Sequence, residues 1–308
     1  MLRQTQTELA KTLEKKPPKI QWEGVVTVIQ ENILKKLSHY KYLTIEQLLR
    51  FEDIGTTQYS YLWKQIRSLR DRKKPLVGCN SFPNPNPRKG KVHSIYYLNT
   101  TGRDVLINDY GYYEEDIRYK VGKHLTVTQY QHRLYTVEYQ MYLDDWAERN
   151  ELDILDFHAY YDTLGSNRKA KSLKARTKVE LAKGKSFTPD AVYSIENENR
   201  ENELHLFELY NGKDTKYIIK QLHQHAEAMA FGQVAEKYNI PKEKPYKVIV
   251  LFTHKGALQG TIKKAMADPV FSHFYEYFIC KELDSNPFHS ETFFDEWVNL
   301  YGEITNFY

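Results

Sequence analysis

The chain has 308 residues, enough for two domains of ordinary size, each able to bury a core. Hydrophobic residues make up 41% and charged residues 27%, as in a globular protein, and no apolar run approaches the ~18 residues of a membrane span. A net charge of +4 does not by itself argue for a polyanionic partner, and two cysteines, Cys79 and Cys280, exclude a disulfide framework or a zinc cluster.

Residues 1–22 read as a charged arm ending near Pro17-Pro18. The opening MLRQTQTELAKTLEKK is charged throughout and lacks the apolar stretch of a secretory signal, so a cytoplasmic location is expected. Residues 23–107 form the first predicted domain. Val25, Val28, Ile29, Leu34 and Leu37 make a helical stripe. Thr44 with Gln47 has the spacing of a capping box and starts a second helix. A turn at Asp53–Thr56 leads to a third helix, Gln58–Arg72, with Leu62, Ile66 and Leu69 inward. Two short strands follow, Leu76–Gly78 and Val92–Leu98, joined by the proline-rich basic loop FPNPNPRKGK. This order resembles a winged helix-turn-helix, in which the third helix enters the major groove and the loop is the wing. The resemblance implies DNA contacts from Tyr59, Trp63, Lys64, Arg67 and Arg70 on the helix and Arg88, Lys89 and Lys91 on the loop. A solvated basic face, or a protein-binding winged helix, is the alternative.

Residues 108–124 have turn signals and little periodicity and read as a connector, and residues 125–308 as the second domain. Thr126–Asn150 is a long amphipathic helix whose stripe includes Tyr130, Leu134, Val137, Met141 and Trp146, with Glu138 upon it. A short strand, Ile154–Tyr160, precedes a basic run from Arg168 to Lys185 that holds eight Lys or Arg and one Glu. Arg168, Lys169, Lys171, Lys174 and Arg176 in it are candidates for phosphate contacts, which give affinity and salt dependence without sequence choice. After the stretch Thr188–Leu222 the pattern predicts a helix over Asp214–Lys237, a buried strand Tyr246–Phe252, a helix Gly260–Met266, a strand Phe274–Cys280 and a closing helix Glu291–Tyr301.

The stretch TPDAVYSIENENRENELHLFELYNGKDTKYIIKQL organises the second domain: strand, turn, strand, tight turn, helix. Asp190 opens the first strand and Glu208 ends the second, so a hairpin brings both carboxylates to one sheet end. Paired carboxylates suit a hard divalent cation, which takes oxygen ligands and keeps room for water and phosphate. A carboxylate inside the apolar strand LHLFELY is costly to bury unless a charge answers it.

Thr188-Pro189-Asp190, Phe207-Glu208-Leu209 and Asn211-Gly212 resemble the PD-(D/E)xK nuclease fold, and more closely the replication-relaxation family, which includes MobC-type plasmid relaxases. The resemblance implies an α+β/α/β chain: a winged helix followed by a restriction-endonuclease-like domain. It implies Mg²⁺ or Mn²⁺ held by Asp190 and Glu208, with Glu138 on the first helix facing the same metal. It also implies a lysine two residues after Glu208, where this chain has Tyr210. Lys213, Lys216 and Lys220 are the substitutes, with Gln221 and His225 on the same helix. His223 reads as structural or exposed. The implied function is site-specific binding and nicking of double-stranded DNA at an origin of transfer or replication, alongside other mobilisation or replication proteins. The alternative is a non-catalytic regulator with a degenerate nuclease domain. No histidine cluster of the HUH type, phosphate-binding GxxxxGK[ST] loop or Ser-His-Asp arrangement is visible.

Overall fold

The computed structural model describes residues 26–82, 92–120, 126–164, 174–242, 244, 246–283 and 292–308. The chain divides into two compact units at Lys120/Val121.

The first unit opens with α1 (Val28–Tyr40), started by a Thr27/Gln30 capping box and burying Ile33, Leu34 and Leu37. Val28 is 75% exposed, whereas Gln30 in the same turn is buried. Helix α2 (Ile45–Leu48) has the expected cap: Thr44 Oγ1 accepts from Gln47 N at 3.2 Å and Gln47 Oε1 accepts from Thr44 N at 2.8 Å. It lasts one turn. A 3₁₀ turn then ends at Gly55, whose φ of +67° suits glycine. Helix α3 (Tyr59–Arg70) buries Leu62, Ile66 and Leu69. Strands β1 (Val77–Asn80) and β2 (Ile95–Leu98) pair antiparallel, and Leu43 bridges to Tyr96 on the far side of β2. Helix α4 (Thr100–Tyr110) lies close against β1: a Cβ on Gly102 would sit 2.4 Å from the Leu76 carbonyl oxygen. The connector expected at 108–124 is folded through Lys120. Arg118 N donates to Ser38 O, Lys120 N donates to Leu98 O and Ile117 is buried, so short apolar and backbone contacts hold a segment without periodicity.

In the second unit, α5 (Val127–Arg149) precedes a seven-stranded sheet. Its strands are β3 (Asp153–Ala159), β8 (Ala191–Glu196), β9 (Asn202–Tyr210), β10 (Lys247–Phe252), β11 (Phe278–Glu282), β12 (Trp297–Asn299) and β13 (Ile304–Thr305), neighbours in that order. Between β3 and β8 the chain makes two small ribbons, β4 (Thr163–Leu164) with β5 (Lys174–Ala175) and β6 (Val179–Glu180) with β7 (Ser186–Phe187). Strands β3, β8 and β9 are an antiparallel meander, and β9, β10 and β11 are parallel. Parallel neighbours need crossovers, supplied by α6 (Thr215–Phe231) with α7 (Gln233–Tyr238), and by α8 (Ala257–Met266).

Strand alternation assigns the two faces. Phe207 of β9 stacks on Tyr139 of α5 at 4.0 Å, whereas Leu204, Leu206 and Tyr210 join Ile218 and Leu222 of α6 in the opposite core. Three expectations are corrected. The helix over Asp214–Lys237 breaks at Gly232, which has φ +68°. The closing helix Glu291–Tyr301 is instead the hairpin β12–β13. There Trp297 is fully buried against Phe294 and Phe307, and Val298 pairs with Cys280, so sheet pairing and aromatic packing override helical periodicity. The strand expected at Phe274 begins at Phe278, after two 3₁₀ turns.

Candidate functional site

The Asp190 carboxylate is built into the end of the β8–β9 ladder. Pro189 has no N–H to continue pairing. Its carbonyl accepts from the buried Thr177 hydroxyl at 2.8 Å. Asp190 N donates to Phe207 O at 2.9 Å, and Asp190 Oδ2 accepts from Leu209 N at 2.8 Å, so a side chain completes the ladder. Asp190 Oδ1 meets His132 Nε2 of α5 at 2.8 Å. His132 Nδ1 lies 3.2 Å from Asn211 Nδ2. With Asn211 in this orientation its amide donates to Nδ1, and Nε2–H donates to Asp190. Asn211 Oδ1 is then buried, with no hydrogen-bond partner among the described residues.

Glu208 lies one residue before Leu209 on β9 and is 5% exposed. Its Oε1 is 2.7 Å from His225 Nε2 of α6. Burial pushes the Glu208 carboxyl well above the usual range, and the negative charge of Asp190 adds to the shift. Burial pushes His225 down to about 3. Both directions give a neutral pair, in which the Glu208 O–H donates to Nε2.

His132, Asp190, Glu208 and Asn211 line a cleft of about 290 Å³ with Asp214, Tyr217 and Gln221. Asp214 caps α6, accepting from Lys216 N and Tyr217 N. Asp214, Tyr217, Ile218 and Gln221 recur at helical spacing, so one stripe of α6 forms the wall. Gln221 is part of that wall. Lys213, Lys216 and Lys220 are exposed, and none of the three lines the cleft. Lys216 and Lys220 lie on the outer side of the helix, roughly 60–140° around the axis from Tyr217 and Gln221. Glu138 is also absent from the lining. It follows His132 by six residues, roughly 240° around α5 and ~9 Å along it, so His132 is the residue the helix offers to the cleft. The signal for His132 was weak, one histidine on an amphipathic helix. Tyr210 shares the face of Glu208, packs on Phe252 at 5.7 Å between ring centres, and keeps a buried hydroxyl with no partner among the described residues. His223, read as structural or exposed, pairs with Asp268 at 2.7 Å.

The donors suit a hard divalent cation in part. Two carboxylates and the unpartnered Asn211 carbonyl give oxygen ligands, and the cleft has room for water, as Mg²⁺ or Mn²⁺ sites require. Among the described residues no group of three or more His, Cys, Asp or Glu is placed to hold a metal, so a cation here would keep several waters.

In the first unit, α3 presents Tyr59 at 48% and Trp63 at 38% exposure, with exposed Lys64, Arg67 and Arg70. The Arg67 guanidinium stands 5.2 Å from the Trp63 ring centre. Asp71 pairs with Arg67 at 3.0 Å and with Arg70 at 3.5 Å, offsetting part of the charge. Arg88, Lys89, Lys91, Arg168, Lys169 and Lys171 lie outside the described residues. Lys174 is exposed at the start of β5. Arg176 is half-buried, its Nη1 3.2 Å from His158 Nε2. No family model, curated protein or solved structure matches the chain.

Proposed function

We propose that the chain is a DNA-processing protein. Its first unit, in the manner of a winged helix, binds a duplex site. Its second unit, in the manner of a PD-(D/E)xK nuclease of the replication-relaxation family, nicks one strand. The DNA site would be an origin of transfer or replication of a plasmid or other mobile element. The single observation that carries the reading is the juxtaposition of Asp190 and Glu208 in a cleft beside an unpartnered carbonyl. The sheet order β3-β8-β9-β10-β11, with α5 on one face and α6 on the other, supports it.

Bound Mg²⁺ or Mn²⁺ would supply Lewis acidity toward a phosphoryl oxygen and a more acidic water. The chain's own residues orient and neutralise. Leu209 N and His132 fix both oxygens of Asp190. Glu208 would surrender its proton to solvent to become a ligand, because burial holds the neighbouring His225 imidazole, at 2.7 Å, down to about 3. Asp214 and Gln221 shape the wall that a phosphodiester would meet.

A second reading, a DNA-binding regulator with a degenerate nuclease domain, is favoured by one observation: among the described residues no Lys or Arg lines the cleft. Nicking of supercoiled plasmid carrying the element's origin region separates the two. The nuclease requires Mg²⁺ or Mn²⁺, stops with EDTA and is lost in Asp190→Ala and Glu208→Ala. Specific binding without nicking under any of these conditions supports the regulator.

A further inference from the structure

We propose that the outer ridge of α6 is a track for single-stranded DNA leading into the cleft, with Tyr217 as a base-stacking platform and Lys216 and Lys220 as phosphate contacts. The inference rests on the reading that the cleft handles nucleic acid, and it gives these lysines a role outside the chemistry.

Tyr217 lines the cleft and is nevertheless 56% exposed, so its ring stands at the mouth. On the helical wheel it falls ~40° from Gln221, which faces the cleft, and ~60° from Lys220, which faces solvent. It is therefore the hinge between wall and ridge. Lys216 and Lys220 are one turn apart, with Cβ atoms ~5–6 Å from each other, and can meet successive phosphates of an extended strand. Neither side chain makes an ion pair or hydrogen bond among the described residues, in contrast to Lys178 and Lys247 of the same unit, which pair with Glu180 and Glu203. Two free cations flanking an exposed ring make the combination of charge and stacking that holds single strands. The ring also selects between forms of DNA. A duplex keeps its base faces stacked on one another, whereas a strand separated for cutting presents a free face.

Binding of a short fluorescein-labelled oligonucleotide to the full-length protein, followed by anisotropy in EDTA across a salt series, tests the proposal. A hairpin duplex of the same sequence runs in parallel. Tyr217→Ala weakens single-strand binding about tenfold with little change in salt slope, and leaves duplex affinity within about twofold. The double variant Lys216→Ala/Lys220→Ala lowers the single-strand salt slope by about 1.4, and Lys216→Arg/Lys220→Arg restores it. Unchanged single-strand affinity and slope in these variants overturns the proposal. So does an equal loss for duplex. Calorimetric titration with Mn²⁺ keeps the two readings apart. Asp190→Ala loses metal binding while its strand affinity in EDTA persists; a protein that binds no metal at all refutes the nuclease reading and leaves the strand track to be judged by anisotropy.

Discussion

Replacing Glu208 by glutamine should stabilise the second unit at neutral pH, against the usual expectation for a buried hydrogen-bonded residue. In the unfolded chain this carboxyl ionises near its ordinary value of ~4.3, whereas burial and Asp190 hold the folded carboxyl neutral to much higher pH. Below about pH 4 both states keep the proton and the residue contributes its full hydrogen bond to His225. As pH rises, the unfolded chain releases the proton and the folded chain retains it, so stability falls by ~1.4 kcal/mol per pH unit until the folded group also ionises. The ceiling at pH 7 is about 3–4 kcal/mol, and relaxation of the cleft leaves about 1–3 kcal/mol. Glutamine has the same shape, donates an amide N–H to His225 Nε2 and has no proton to lose. His225, held down to about 3 by burial, loses stability below about pH 6.5 in both proteins and cancels from the difference. Urea unfolding followed through the fully buried Trp297 reads this unit. The variant should match wild type near pH 4 and exceed it by about 1–3 kcal/mol at pH 7. A variant less stable than wild type at pH 7, with the gap closing in acid, would falsify the neutral pair and make it a glutamate–imidazolium ion pair.

Under the proposed metal binding the same proton would govern uptake: Mn²⁺ affinity should rise up to about tenfold per pH unit below the folded Glu208 value, with close to one proton released, read by calorimetry in buffers of different ionisation enthalpy. A pH-independent affinity would remove Glu208 from the ligand set. Phe207→Ala empties a fully buried site that stacks on Tyr139, and should cost about 3–5 kcal/mol in urea unfolding, whereas Lys216→Ala should change stability by less than ~0.5 kcal/mol. Burial pushes Glu203 up, but contacts with His205 and Lys247 outweigh it and hold the carboxyl to about 2. Burial lowers His205 too, so Lys247, at 3.0 Å, is the standing positive charge. Glu203→Gln should therefore lose about 1 kcal/mol at pH 7 after allowance for screening, with the difference disappearing as pH falls from about 4 toward 2. An undiminished difference at pH 2 would assign the effect to packing.

Local rules recovered the first unit well because its signals are local. Thr44 and Gln47 specify a cap by themselves, and Leu62, Ile66 and Leu69 specify the inward face of one helix. The carboxylate pair was legible for a related reason: a hairpin with Asp190 near its start and Glu208 near its end converts sequence distance into adjacency. The partners of those carboxylates were less legible. His132 is 58 residues from Asp190, and only the packing of α5 at the end of the sheet brings them together. His225 was visible as a neighbour of Gln221 on α6, but its bond to Glu208 depends on where that helix crosses the sheet. The hairpin β12–β13 was hidden for a third reason. Its residues satisfy helical periodicity, and the choice is made by the unpaired edge of β11 and by the aromatic cluster around Trp297.

Tyr210 shows how the cleft came to have its present charge. Strand alternation puts residue 210 on the same face as Glu208, so a lysine there would bring an ammonium toward two carboxyl groups. Tyrosine instead packs its ring on Phe252, and burial raises its hydroxyl well above the ordinary range, so it supplies no charge. The lysines of α6 do not replace it, because the stripe that faces the cleft is Asp214, Tyr217 and Gln221. Among the described residues that line the cleft, the remaining basic group is His132, already engaged by Asp190. Such a cleft repels a phosphate unless positive charge arrives with it. Under the proposed function, a divalent cation and a strand delivered along flanking lysines would be two sources of that charge, and metal and DNA binding in this unit would then support one another.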